Sequence, residues 1–372
     1  MKIKLLFLLA IAFVTVFFVQ CKENDPSPDS KFDKAGMLRN IGENVIIPAY
    51  SDLKISVDSL HYISNLFIAS TSPENLLHLQ QAFQKAYLNF QSVSVFEFGP
   101  ADLELIRPNF NTFPCDTSEI NSKIQAGNFT LSTIADLDVK GFPGLDYLLF
   151  GSSHNNQVVI SKFTTDVNAE KRKSYLTALI KELKNKADIV NSAWSPTGGN
   201  YITTFKNNTG TDVGSSLGLL VNQLNFDYET LKNFKIGIPL GKKSLGTTFP
   251  SKVEAFYSQS SIELAKQHLK AIENLYLGRS KQGSDGLGLD DYLLHNQSQY
   301  NGSSLSDAIK SQLSKAYSKL NLIPDPLSET IINNPGVVDS AYNELQKLVV
   351  FFKTDMPSAL GVLITYQDND GD

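Results

Sequence analysis

Apolar residues recur at helical spacing through most of the chain. Leu76, Leu79, Phe83, Ala86, Tyr87 and Phe90 fall on one face of a stretch running from Leu76 to Phe98, and Gly99-Pro100 stops it. Ile46, Ile47, Tyr50, Leu53, Ile55, Val57, Leu60, Ile63 and Leu66 predict a long helix after Pro48, although part of that run also alternates. Further helices are expected over 169–193, with Tyr175, Leu176, Leu179, Ile180, Leu183 and Ile189 facing inward, and over 213–234, 260–276, 304–320 and 337–352. Strand-type alternation is scarce, so the expected fold class is all-α. Pro108, Pro114, Gly127 and many Asn, Thr and Ser predict a long irregular connection over 99–140, and Pro239, Gly241, Gly246 and Pro250 predict a second over 235–258. The break at Ser195-Pro-Thr-Gly-Gly-Asn200 divides the chain into two helical bundles, 33–195 and 196–372.

One pattern occurs twice. Gly141-Phe-Pro-Gly-Leu-Asp-Tyr-Leu-Leu149 aligns without a gap on Gly286-Leu-Gly-Leu-Asp-Asp-Tyr-Leu-Leu294, placing Asp146 on Asp291 and Tyr147 on Tyr292. The two bundles are therefore expected to be pseudo-symmetric. In the first copy Leu145, Leu148 and Leu149 stand at i, i+3 and i+4, and Pro143 suits a first helical turn, where a missing N–H costs little. Both acids would then lie near the positive end of a helix dipole.

The first twenty residues have the form of a targeting segment rather than of the fold. Lys2 and Lys4 precede an apolar run from Leu5 to Val19, shorter than the roughly 20 residues of a transmembrane helix. Cys21 follows, then a polar tether to residue 32, an arrangement that resembles the lipobox of bacterial lipoproteins with Gln20 in place of the usual small residue. Residues 1–20 are thus expected to be a lipoprotein signal peptide, with Cys21 carrying the lipid that anchors the chain to a membrane. Cys115 is the only other cysteine, which leaves no disulfide framework. Without Lys2 and Lys4 the net charge is about −7, and no basic run speaks for nucleic acid or for a polybasic membrane patch.

Candidate chemistry is sparse. No two of His61, His78, His154, His268 and His295 stand at metal-ligand spacing. Gly214-Ser-Ser-Leu-Gly218 spells the serine-hydrolase string, but a polar loop precedes it where that chemistry needs a strand, so Ser215 or Ser216 is read as a helix cap. Asp368-Asn-Asp-Gly-Asp372 resembles the start of a calcium loop without its later Glu. Carboxylates are the better candidates. Glu97 lies before a Gly-Pro break, Glu254 follows a long connection, and Asp146 and Asp291 belong to the paired motifs. If pseudo-symmetry brings these breaks together, they could converge with Tyr147, Tyr257 and Ser258 on a ligand, and an oxygen-rich set of Asp146, Glu97 and Glu254 would suit iron or another hard cation.

Ile46-Ile-Pro-Ala-Tyr50, Phe96-Glu-Phe-Gly-Pro100, Phe113-Pro114, Gly141 to Gly151, Ile238-Pro-Leu-Gly241, Val253-Glu-Ala-Phe-Tyr-Ser258 and Leu360-Gly-Val362 together resemble the imelysin, or insulin-cleaving membrane protease, family. The resemblance implies two pseudo-symmetric helical bundles, a bacterial envelope location, an association with iron uptake or regulation, and a site near the bundle interface. It also implies a Gly-x-His-x-x-Glu signature. Here Pro143 stands at the His position and Asp146 at the Glu position, so this chain is similar to the imelysin-like subgroup with a degenerate motif. The expectation is a non-catalytic lipoprotein of the outer membrane, facing the periplasm or the cell surface, that binds iron or an iron chelate. A metal-dependent peptidase with a rebuilt site, and a docking subunit for envelope uptake proteins, are the alternatives.

Overall fold

The computed structural model describes residues 31–365. The signal peptide, Cys21, most of the tether and the acidic tail at 368–372 lie outside the described residues. Residues 34–365 form one compact, mainly helical unit; a two-stranded hairpin, Gln299–Tyr300 against Ser303–Ser304, is the extended structure among the described residues.

Eleven helices position the site. They are α1 (Ile47–Ala69), α2 (Pro73–Gln91), α3 (Thr117–Ala126), α4 (Gly141–Phe150), α5 (Asn156–Thr164) and α6 (Ala169–Trp194) in the first half of the chain. The second half adds α7 (Ser216–Glu229), α8 (Ser261–Tyr276), α9 (Leu289–His295), α10 (Leu305–Leu320) and α11 (Pro335–Val350). Helix α1 packs along its length against both α2 and α6, α10 packs along α11, and α8 lies against α2. Every residue of the predicted α2 stripe is buried, from Leu76 to Phe90. Ser72 caps that helix by accepting from the Asn75 N–H at 3.2 Å, and Pro73 enters at the first turn. Ser215 does the same for α7, accepting from the Gly218 N–H at 3.0 Å, as the cap reading of the Gly-x-Ser-x-Gly string expects.

Proline also explains where the helices widen. Three π-helical turns, Ile41–Ile46, Thr230–Gly237 and Phe351–Asp355, each run into a residue followed by proline: Ile47-Pro48, Ile238-Pro239 and Met356-Pro357. Proline cannot donate to the preceding turn and its ring crowds the carbonyl there, and a wider turn accommodates both effects without ending the helix. One such turn lies in each half of the chain at an Ile-Pro pair, a structural echo of the repeated motif.

Two expectations change. The stretch 99–140 is not one irregular connection, since it contains helices at Pro100–Leu103, Ile106–Asn111 and α3, and a 3-10 helix at Ile134–Val139. Two of its prolines, Pro100 and Pro108, sit in the first turns of short helices instead of preventing them. Ile189 does not face inward; it is 49% exposed, and the neighbouring Val190 takes the buried position.

Candidate functional site

The motif helix α4 is buried on nearly every side. Phe142 stacks on Tyr87 with ring centroids 4.6 Å apart and meets Phe83, Phe90 and Phe110 at 5.6–6.0 Å. Gly141 makes the entry tight enough for this. Its φ is +66°, and a Cβ there would lie 2.4 Å from the Phe110 carbonyl oxygen, so only glycine fits.

Asp146 sits one turn further in, past the reach of its own helix's free N–H groups. Its carboxylate accepts instead from two successive amides of the second half, Tyr257 N–H at 2.8 Å and Ser258 N–H at 2.9 Å. Adjacent N–H groups pointing the same way form an anion-binding concavity. The loop is bent to present them: Ala255 and Gln259 both occupy the left-handed region, with φ of 52° and 60°, which is sparsely populated for residues with a Cβ. His154 fastens the same loop through Nδ1 and the Tyr257 carbonyl at 3.0 Å, and the rings of Tyr147 and Tyr257 lie 5.2 Å apart. Burial pushes the Asp146 carboxyl up to about 7, against the pull of its bonds to Ser258 and Tyr257; the charge of Glu254 adds to the rise. Burial, with some help from Asp146, raises the Cys115 thiol to about 12, which removes it as a ready nucleophile.

Glu254 lies just before this loop and is 1% exposed. Its Oε1 accepts from Gln91 Nε2 at 3.0 Å and Asn111 Nδ2 at 2.6 Å, and its Oε2 pairs with Lys235 Nζ at 2.9 Å. Lys235 in turn donates to the Gln91 side-chain oxygen. Both charges are fully buried, so removing either alone would cost about 3–5 kcal/mol. Glu97 is occupied differently: both its oxygens accept from the Arg107 backbone N–H, at 2.9 and 3.0 Å, where it closes the start of the helix Ile106–Asn111. Burial raises its carboxyl to about 7 despite the nearby Arg107 charge.

The structure therefore brings Asp146, Tyr147, Tyr257 and Ser258 together, with Glu254 beside them, and separates the rest. Asp291 does not join them. It is the third residue of α9 and accepts from the Gly288 N–H at 2.9 Å, so it caps its own helix. The expected cation site of Asp146, Glu97 and Glu254 is corrected on the same ground: each carboxylate is already satisfied by protein donors, and Pro143 offers no ligand atom. Among the described residues no group of three or more His, Cys, Asp or Glu side chains is arranged to hold a metal ion. These residues do not fit a metal centre of the kind the motif resemblance implies.

A second buried polar cluster was not anticipated. Asp227, His268 and Ser94 meet at the contact of α7 and α8, with His268 Nε2 bonded to Asp227 Oδ2 and 3.3 Å from Ser94 Oγ. Both contacts use the same ring nitrogen, so the three do not form a nucleophile relay, which needs the serine and the acid on opposite nitrogens. Arg107 joins the cluster, its Nη2 donating to the Ser94 carbonyl at 2.6 Å and its Nε lying 3.5 Å from Asp227 Oδ1. One signal for it was available in the sequence. His268 follows Leu264 and precedes Ile272 by four residues each, on the apolar face of α8.

Comparison with known proteins agrees with this architecture. A family model described as imelysin, peptidase M75, matches residues 46–350. The chain is 24% identical over 312 residues to iron-regulated protein A of Synechococcus elongatus, covering 81% of this chain and 79% of that protein. Two crystal structures share the fold. One, described as an iron-regulated protein A precursor from Parabacteroides distasonis, superposes with a TM-score of 0.72 at 18% identity over 88% of this chain and 95% of its own. The other, an imelysin-like protein from Psychrobacter arcticum, gives a TM-score of 0.67 at 18% identity over 90% and 97%.

Proposed function

The chain belongs to the imelysin family, and from that membership we propose that it is a non-catalytic binding protein of the bacterial cell envelope with a role in iron uptake or its regulation. The observation that carries the non-catalytic part is the state of the motif. Pro143 stands where the family's imidazole would be, and the Asp146 carboxylate is spent on the Tyr257 and Ser258 amides. A group pinned by two short bonds to backbone holds the loop 253–260 against α4; it is not poised to activate water. The iron association is supported by the names of the relatives, two of which are called iron-regulated protein A. The envelope location is supported by the sequence of residues 1–21, read as a lipoprotein signal and Cys21 anchor. Docking to envelope uptake proteins is compatible with the same reading.

Two measurements test it. The purified protein, offered an unfolded polypeptide with zinc, iron or calcium, should release no new peptides above buffer. Cleavage that a chelator stops and that Asp146→Asn abolishes would overturn the non-catalytic reading. In the source bacterium the protein level should rise when iron is withdrawn, and a level indifferent to iron would remove the iron role.

A further inference from the structure

Beside the motif helix is a pocket of about 340 Å³, which shares Tyr147 with the cluster around Asp146. The C-terminal end of α4 and the start of α5 form one wall, where Leu148 and Val159 are buried and apolar. The rest of the lining includes polar side chains, Asn121 from α3, Tyr147 from α4, Lys162 from α5 and Arg172 from the first turn of α6.

Arg172 is the anomaly. It is only 8% exposed, yet it has no carboxylate within ion-pair distance among the described residues. Its hydrogen bond there runs from Nη2 to Asn121 Oδ1 at 3.3 Å, and its Nε is buried without a partner. The nearest acid in sequence, Asp166, acts on Arg172 only through its charge, beyond ion-pair distance, and its oxygens are engaged by Lys162 Nζ and by the Asn168 N–H, each at 2.9 Å. A buried guanidinium without a bonded carboxylate is costly unless an anion completes it. Guanidinium presents a planar fork that matches carboxylate and phosphate oxygens. Lys162, the second cation of the pocket, is paired with Asp166 and half in water, so Arg172 is the anchor, and the volume falls in the range of small-molecule sites.

We infer that this pocket binds a small organic oxyanion, carboxylate or phosphate, whose head lies on the Arg172 guanidinium and whose apolar body lies against Leu148 and Val159. Asn121 is the positioning residue: it donates to the Tyr147 hydroxyl oxygen at 2.8 Å and accepts from Arg172, so it fixes both groups at the pocket wall. The inference deepens the binding reading by naming a ligand class, and it fails separately. Chelator-sensitive proteolysis would overturn the non-catalytic reading alone, and absent anion binding would overturn this one alone.

The test is titration calorimetry of the purified protein with benzoate, phenyl phosphate and the neutral isostere benzamide, at constant ionic strength and up to millimolar concentration. Saturable binding of benzoate or phenyl phosphate, at least about tenfold tighter than benzamide, is expected, and the stronger of the two identifies the head group. Arg172→Gln should lower anion affinity by about tenfold or more and leave benzamide unchanged. Lys162→Glu, on a side chain that is 51% exposed and so a small risk to folding, should weaken anion binding several-fold. No saturable binding of either anion overturns the inference, as does unchanged affinity in a folded Arg172→Gln. Should Arg172→Gln not fold, unchanged affinity in Lys162→Glu overturns it.

Discussion

The two copies of the Gly…Asp-Tyr-Leu-Leu motif share their residues and not their surroundings. In the first, Phe142 and Leu149 are 0% exposed; their counterparts in the second, Leu287 and Leu294, are 37% and 43% exposed. In the first, the helix begins at Gly141, so Asp146 is its sixth residue and must find partners elsewhere. In the second, the helix begins at Leu289, three residues later in the alignment, so Asp291 is its third residue and caps it. The delay has a visible cause. Asn40 donates to the carbonyls of Gly278 and Leu287 at 2.7 and 3.0 Å and so holds the entry to the second copy extended. A difference in helix start thus converts one repeated acid into a tie between distant segments and the other into a local cap.

The contrast can be broken most sharply at the aromatic position. Phe142→Ala should cost about 3–5 kcal/mol in a urea or thermal unfolding measurement, because it empties a fully enclosed site among four other rings. Leu287→Ala should cost less than about 1 kcal/mol, since its side chain is already partly in water. Similar losses at the two positions would mean that the copies are equivalent after all.

The acids come next. Asp146→Ala leaves the half-buried Tyr257 and Ser258 amides without their acceptor and should cost about 1–3 kcal/mol, together with faster proteolytic cutting in the loop 253–260. Asp291→Ala removes one cap and should cost about 1 kcal/mol without exposing that loop. A larger effect at Asp291 would reverse the assignment of tie and cap.

The smallest effect is on pH dependence. In the fold the carboxyls of Asp146 and Glu97 are raised to about 7 from ordinary values of 3.8 and 4.5, chiefly by burial. The folded state therefore holds these protons more tightly than the unfolded chain, so the stability they contribute is fully present below about pH 4 and is lost as pH rises through about 7. Unfolding midpoints should fall between about pH 4.5 and 7.5. Asp146→Asn and Glu97→Gln should each flatten that slope, and Asp291→Asn should leave their share of it in place. A slope unchanged in both of the first two variants would remove these groups as its source.

Much of the fold could be read from spacing. The stripe from Leu76 to Phe90 is buried residue for residue, and the helices expected at 169–193, 260–276 and 304–320 are found at Ala169–Trp194, Ser261–Tyr276 and Leu305–Leu320. The candidate site was legible only as a set of residues. Asp146, Tyr147, Tyr257 and Ser258 do meet, but the role of Asp146 as an acceptor for backbone amides leaves no mark in residue identity, because any sequence supplies amides. Gln91, Asn111 and Lys235 were missed as the partners of Glu254 for a related reason: a single polar residue, in a helical stretch like Gln91 or in an expected connection like Asn111 and Lys235, looks like a surface position until a second segment covers it.

The sequence by itself determined the all-helical architecture and the positions of most helices. These follow from periodicity, capping and proline or glycine punctuation, which act over a few residues and so are written locally. Only the tertiary structure decided that Asp146 is tied to residues 257 and 258, that Asp291 is a cap, that Glu254 is neutralised by Lys235, and that Arg172 faces a pocket without an acid of its own. Each of these depends on which distant backbone or side chain passes within about 3 Å of a polar atom, a distance fixed by how whole helices pack and not by the residues beside it in sequence.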